Sequence, residues 1–128
     1  MENLCIGIVG NIGVGKSTLI EALKNKPLST LLLQAWPNLT PEEGLHTFPE
    51  QFNPNVLDAF YQDPIRHAFT AQIEFFNSRL ERQSIIRQAR GIVLEDRTIF
   101  EDYHIFGKAQ KILDHLTEAE YIAYQHNY

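Results

Sequence analysis

Residues Gly10-Asn11-Ile12-Gly13-Val14-Gly15-Lys16-Ser17 follow directly on the apolar run Leu4-Cys5-Ile6-Gly7-Ile8-Val9. A chain that leaves such a run through three glycines into Lys-Ser is constrained to one local architecture, a strand, a phosphate-cradling loop and a helix. The glycines let successive backbone N–H groups point inward around a di- or triphosphate. Lys16 can reach the terminal phosphates, and the Ser17 hydroxyl can hold Mg²⁺. Good helix formers follow in Thr18-Leu19-Ile20-Glu21-Ala22-Leu23-Lys24, which aims a helix N-terminus at the phosphates. A tight turn alone would not require Lys and Ser beside the last glycine. The pattern speaks strongly for nucleotide binding and weakly for any particular reaction.

Length and composition narrow the partners. At 128 residues the chain fits a single domain with a core of its own. A formal charge of −5, without clustered Lys or Arg, argues against a nucleic-acid polymer as ligand. The single cysteine, Cys5, lies in the first apolar run and reads as a small core residue that cannot form an internal disulfide. Leu31-Leu32-Leu33 is far too short to span a bilayer, and no signal-like segment opens the chain, so no membrane is expected and a cytoplasmic location follows by default.

Strand and helix alternate along the chain. Leu4 to Val9 suits a strand covered on both faces, and Gly91-Ile92-Val93-Leu94-Glu95 is a second apolar run ending in charge. Between them, Asp63 is a plausible N-cap before Pro64, and Ile65, Phe69, Ile73, Phe76 and Leu80 recur at helical spacing and predict the buried face of a long helix. Residues 27–49 hold four of the six prolines and show only a short strand at Leu45-His46-Thr47-Phe48. Thr117-Glu118-Ala119-Glu120 reads as a capping box that opens a helix bearing Tyr121, Tyr124, Gln125 and Tyr128 on one face.

Two further clusters carry chemistry. Glu95-Asp96-Arg97-Thr98, followed by Asp102, places charge at the C-terminal end of a buried parallel strand, where open α/β sheets hold their ligands. By themselves such residues could form a capping ion pair. Beside a phosphate loop, an acid can serve Mg²⁺ or a substrate hydroxyl, and an Arg can stabilise a transferring phosphoryl group. Gln72 and Arg79 stand about two helical turns apart and project from one side. Gln offers donors and an acceptor together, which suits a nucleobase edge; taken alone, both residues read as solvated surface.

The ordered set Gly10 to Thr18, Glu50-Gln51-Phe52, Asn53-Pro54, Phe60-Tyr61-Gln62-Asp63-Pro64, Arg66, Ala68-Phe69, Gln72, Arg79, Asp96-Arg97-Thr98, Asp102 and Ile105-Phe106 resembles the deoxynucleoside kinases, most closely the bacterial deoxyadenosine/deoxyguanosine kinase branch. The resemblance implies an α/β fold, a P-loop NTPase-type parallel sheet flanked by helices. Residues 1–128 would be a single partial domain with about three of five strands. It implies ATP and Mg²⁺ as cofactors and a deoxynucleoside as substrate, with homodimerisation through long helices.

Carried over by position, Gly10, Asn11, Ile12, Gly13, Val14, Gly15, Lys16, Ser17 and Thr18 would bind ATP. Glu50 would contact the deoxyribose 5′-hydroxyl as candidate general base, and Tyr61 would meet the 3′-hydroxyl. Gln72 would read the base edge, Arg79 would support it and Phe106 would stack on the base. Asp96 would be base or Mg²⁺ partner alongside Ser17, Arg97 would bind phosphate and the 5′ end, and Asp102 would orient Arg79 and the base. Glu50 and Asp96 both match positions that could take the 5′ proton. Family members usually carry an aromatic where this chain has His67 and an acid where it has Val9. Ala71 leaves a roomier pocket that favours purines.

The expected reaction is transfer of the ATP γ-phosphoryl group to the 5′-hydroxyl of a deoxynucleoside in nucleotide salvage. The family's arginine-rich lid and last strands lie beyond the matched motifs. The alternative is therefore a truncated, non-catalytic nucleotide-binding fragment or split-gene product that needs a partner. A GTPase is disfavoured, because no Asp-x-x-Gly occurs and Asn25-Lys26-Pro27-Leu28 lacks the acid of a guanine reader.

Overall fold

The computed structural model describes residues 3–11, 13–36 and 44–128. In chain order the elements are β1 (Leu4–Ile8), α1 (Lys16–Lys24), α2 (Leu28–Gln34), β2 (Leu45–Phe48), α3 (Pro54–Gln62), α4 (Pro64–Ile86), β3 (Ile92–Asp96), α5 (Ile99–Glu101), a π-helical turn (Asp102–Gly107), α6 (Lys108–Ile112) and α7 (Glu118–Asn127). They fall into two compact units. The first comprises Met1–Glu50 and Gln83–Thr98, the second Gln51–Arg82 and Ile99–Tyr128.

The first unit is built on a parallel sheet in the order β1-β3-β2, flanked by helices as a phosphate-loop kinase fold requires. Leu4 to Ile8 stand opposite Ile92 to Asp96, and Leu45 to Phe48 opposite Ile92 to Glu95. The middle strand, β3, is buried at every position, which matches its near-continuous apolar sequence. The short strand read at Leu45–Phe48 is present at those residues. Asn3 ties off the C-terminal end of α4, its Nδ2 donating to the carbonyls of Ile86 at 2.7 Å and Ala89 at 3.2 Å, which supplies partners that a helix end leaves unsatisfied.

β1 departs from expectation. Its residues alternate between half-buried and exposed, so one of its two faces is left open; among the described residues it also pairs with β3 alone and forms an edge of the sheet. Cys5 therefore lies exposed and is not a core residue.

In the second unit, Asn53 caps α3 by accepting from Asn55 N at 3.0 Å. Asp63 caps α4 by accepting from Arg66 N at 3.1 Å, as the Asp-Pro pair predicts. α4 runs for 23 residues, but its buried stripe is not the expected one. Phe76 is buried, whereas Ile65 is 71% and Leu80 47% exposed. Ala68, Ala71, Gln72, Phe75, Arg79 and Arg82 make up the rest of the buried stripe in this unit. Apolar residues circle this helix, so apolar spacing alone selects a face that the fold leaves open.

The predicted capping box at α7 is formed: Thr117 Oγ1 accepts from Glu120 N at 3.2 Å, and Glu120 Oε2 accepts from Thr117 N at 2.8 Å. The α7 face read as carrying Tyr121, Tyr124, Gln125 and Tyr128 is buried at Tyr124, with Tyr128 at the exposed end. Among the described residues no helix is long and apolar enough to cross a membrane.

The Thr117 backbone N–H, and then its hydroxyl, hold the Glu120 carboxyl below its ordinary value of 4.5. A depressed carboxyl stabilises the fold above its unfolded pKa, and that stabilisation is lost as pH falls through the folded value. Thr117→Ala should therefore cost about 1 kcal/mol at pH 7 in urea unfolding. Glu120→Gln should also destabilise at pH 7, and its gap from wild type should close on acidification below the ordinary glutamate range. A gap independent of pH would contradict the ionised capping box.

Candidate functional site

The loop after β1 is shaped by two glycines in conformations that side chains rarely adopt, Gly13 at φ 77° and Gly15 at φ 99°. These let the chain curl before α1 begins at Lys16. Gly10 has a different reason to lack a side chain, since a β-carbon there would sit 2.7 Å from Val14 Cγ1. Val14 N donates to Asn11 O at 3.3 Å and closes the curl. The Lys16 side chain folds back across the loop, its Nζ donating to Gly10 O at 2.9 Å and Asn11 O at 3.4 Å. Ser17 and Thr18 stand in the first turn of α1. Ile12 lies outside the described residues.

Asp96 ends β3 at 1% exposure, and its Oδ2 accepts from Ser17 Oγ at 3.0 Å. The pair joins the last residue of the middle strand to the first turn of the helix behind the loop. Hydroxyl and carboxylate oxygens side by side form the hard-oxygen donor set that Mg²⁺ takes from a protein when phosphates supply the remainder.

Arg97 then turns the chain with φ 60°, a left-handed conformation that costs a non-glycine residue about 1–2 kcal/mol. Its Nη1 meets Glu50 Oε1 at 2.7 Å, and its N donates to Ile8 O at 3.4 Å. The Thr98 methyl packs on Gly7, where a β-carbon would collide with it. Glycine in β1 thus admits the turn that follows β3.

These groups converge. Gly13, Gly15, Lys16, Ser17, Thr18, Glu50, Asp96 and Arg97 line one cavity of about 340 Å³, within the range of small-molecule sites. It combines loop N–H groups, a lysine, an arginine, two hydroxyls and two carboxylates, the set that neutralises and orients phosphoryl oxygens. Gly10, Asn11 and Val14 belong to the loop outside this lining. Glu95, read from sequence as one cluster with Asp96 and Arg97, is engaged differently: Gln83 Nε2 donates to both its carboxylate oxygens at 3.1 and 3.2 Å.

The second unit holds the other expected residues. Gln72 and Arg79, on one face of α4, are buried at 2% and 1% exposure and are not solvated. Arg79 Nε lies 3.4 Å from Asp102 Oδ2, and Asp102, at 0% exposure, opens the π-helical turn in which Phe106 is half-buried. Gln72 Oε1 is buried without a hydrogen-bond partner among the described residues. Tyr61 is 66% exposed on α3, its ring 5.6 Å from that of Phe60. Sequence reasoning missed the supporting residues Gly7 and Gln83. Of these only Gly7 left a signal, a glycine inside a strand.

Compared with known proteins, residues 6–128 match the model of the deoxynucleoside kinase family. A mitochondrial deoxyguanosine kinase of Xenopus laevis is 30% identical over 132 residues, an alignment that covers 94% of this chain and 49% of the relative. A deoxyadenosine/deoxycytidine kinase of Bacillus subtilis (strain 168) is 32% identical over 124 residues, with 96% and 50% covered. A deoxyadenosine kinase of Dictyostelium discoideum is 38% identical over 126 residues, with 97% and 44% covered. The chain spans about half the length of these curated relatives.

The left-handed turn at Arg97 makes a stability test possible. Arg97→Gly and Arg97→Ala both remove the ion pair to Glu50, but only alanine keeps the backbone strain. In urea unfolding the glycine variant should be the more stable of the two by up to about 1 kcal/mol, because its gain at positive φ outweighs its looser unfolded chain. The reverse order would mean that the turn is not left-handed in solution.

Proposed function

The chain belongs to the deoxynucleoside kinase family, and on that premise we propose that it binds ATP with Mg²⁺ and directs the γ-phosphoryl group to the 5′-hydroxyl of a deoxynucleoside. The observation that carries this reading is the cavity lined by residues of the phosphate loop with Lys16, Ser17, Glu50, Asp96 and Arg97.

In the proposed reaction the 5′ oxygen forms a bond to the γ-phosphorus while the bond from that phosphorus to the β–γ bridging oxygen breaks and ADP departs. Backbone N–H groups of the loop and the N-terminus of α1 hold the phosphates, and Lys16 exchanges its loop carbonyls for phosphoryl oxygens. Ser17 and Asp96 would hold Mg²⁺, which neutralises phosphate charge when bound.

The two candidate bases then divide by environment. Asp96, bonded to Ser17 and 1% exposed, suits the metal. Glu50, with its side chain 28% exposed, suits the proton leaving the 5′-hydroxyl. Arg97 pairs with Glu50 and carries the charge that stabilises the transferring group. For a loose transition state, such positioning and charge matter more than base strength.

The deoxynucleoside is assigned to Gln72, Arg79 with Asp102, Phe106 and Tyr61. A purine is favoured by Ala71 beside Gln72, and the names of the three relatives above each include a purine deoxynucleoside. The product would be a deoxynucleoside 5′-monophosphate, which suits nucleotide salvage. A second reading rests on the half-length coverage of the relatives: these residues alone bind nucleotide without turnover. Equilibrium binding is therefore the first test, ahead of activity.

By calorimetry, Lys16→Ala should weaken ATP at least about tenfold, the loss of one charge-assisted contact, and leave deoxyadenosine unaffected. Gln72→Ala should do the reverse. Loss of both ligands in either variant, or no loss in both, would contradict the division of roles. Transfer of labelled phosphate to deoxyadenosine then separates the catalytic reading from the binding-only one.

A further inference from the structure

Tyr124, on α7, is at 0% exposure, and its hydroxyl meets no hydrogen-bond partner among the described residues. A tyrosine buried to that degree ordinarily finds one, because its O–H has given up water. Its ring lies close to the backbone of Asp102. A β-carbon on Gly107, the last residue of the π-helical turn, would collide with Tyr124 Cε1 and lie 3.2 Å from the Asp102 carbonyl oxygen. Ring, glycine and Asp102 backbone therefore share one small space. Phe76, which lies between Gln72 and Arg79 along α4, meets the same ring edge-on, with centroids 6.4 Å apart and planes at 80°. Burial first, and then the Asp102 charge, push the Tyr124 phenol well above its ordinary pKa of 10.0, so it keeps its proton and remains a donor.

A π-helical turn is rare and recurs at functional sites. This one begins with Asp102 and includes Phe106. Tyr124 fills the space that the missing side chain of Gly107 leaves, so a residue of α7 packs directly on the last residue of that turn.

We propose that Tyr124 is a positioning residue of the deoxynucleoside site: its ring holds the turn Asp102–Gly107 in shape, and its hydroxyl steers the Asp102 carboxylate that anchors Arg79. The inference rests on the assignment of Arg79 and Asp102 to the deoxynucleoside made above. Tyr124 itself touches no substrate in this scheme and acts through Asp102.

A double-mutant cycle on the 128-residue chain tests it, with deoxyadenosine and ATP affinities measured for wild type, Tyr124→Phe, Asp102→Asn and the double variant. Tyr124→Phe keeps the ring and removes only the hydroxyl. It should weaken deoxyadenosine severalfold, through loss of a polar group beside the Asp102 charge, and leave ATP unchanged. On the Asp102→Asn background it should cost nothing further.

Wild-type deoxyadenosine affinity in Tyr124→Phe, or equal losses on both backgrounds, would overturn the inference and leave the kinase reading intact. A wild-type chain that binds ATP but no deoxynucleoside would overturn the site assignment and the inference with it. Should Tyr124→Phe fail to fold, ¹³Cζ-tyrosine spectra decide the matter. The Tyr124 resonance should move in Asp102→Asn and on addition of deoxyadenosine to wild type; a resonance indifferent to both would overturn the inference.

Discussion

The burial of β3 governs the first unit. All five of its residues are removed from solvent and it pairs in parallel on both sides, so the charged residues that end it cannot be left to water. A carboxylate taken from water without partners is costly. Ser17 bonds Asp96 and Gln83 bonds Glu95, each from a different helix. The same register places Ile8 opposite Asp96, and the phosphate loop starts two residues later. A slip of one residue would turn Asp96 to the opposite face of the sheet. One strand pairing thus fixes loop, acid and the helix N-terminus behind them.

Arg97 shows why this arrangement is not merely a stable fold. Its left-handed backbone costs about 1–2 kcal/mol, and its pair with Glu50 is only part-buried, with the Glu50 side chain 28% exposed, where ion pairs contribute little net stability. Ion pair and strain together leave little net gain for folding. What the turn achieves is to set a guanidinium and a carboxylate beside the loop at a defined spacing, and strain held at such a position is expected where geometry serves chemistry.

The parts of this molecule that were legible in sequence are those whose causes are local. The phosphate loop, the Asp63-Pro64 cap, the Thr117–Glu120 box and the short strand at Leu45–Phe48 each depend on neighbouring residues, and each is where the sequence places it. The misreadings come from causes that lie far along the chain. Cys5 looked internal because its segment is apolar, yet its exposure depends on what packs over its face of β1. α2 and α3 escaped notice in and just beyond the proline-dense stretch, although Asn53-Pro54 is a capping signal. The approach of Arg79 to Asp102 joins two elements that no periodicity connects.

The error on α4 is the most informative. A helix placed by the hydrophobic effect alone would bury Ile65 and Leu80 and leave Gln72 and Arg79 in water, since burying one large aliphatic side chain contributes about 1.5–3 kcal/mol. The chain does the opposite: Gln72 and Arg79 are inside, and Ile65 and Leu80 are largely outside. Burial of a guanidinium costs several kcal/mol before its partner at Asp102 repays any of it, and Gln72 brings a buried acceptor with no protein partner among the described residues. Packing offers no reason for that inversion. A ligand that met the buried Gln72 acceptor would supply one, because polar groups held in a dry site discriminate among ligands far more sharply than the same groups in water.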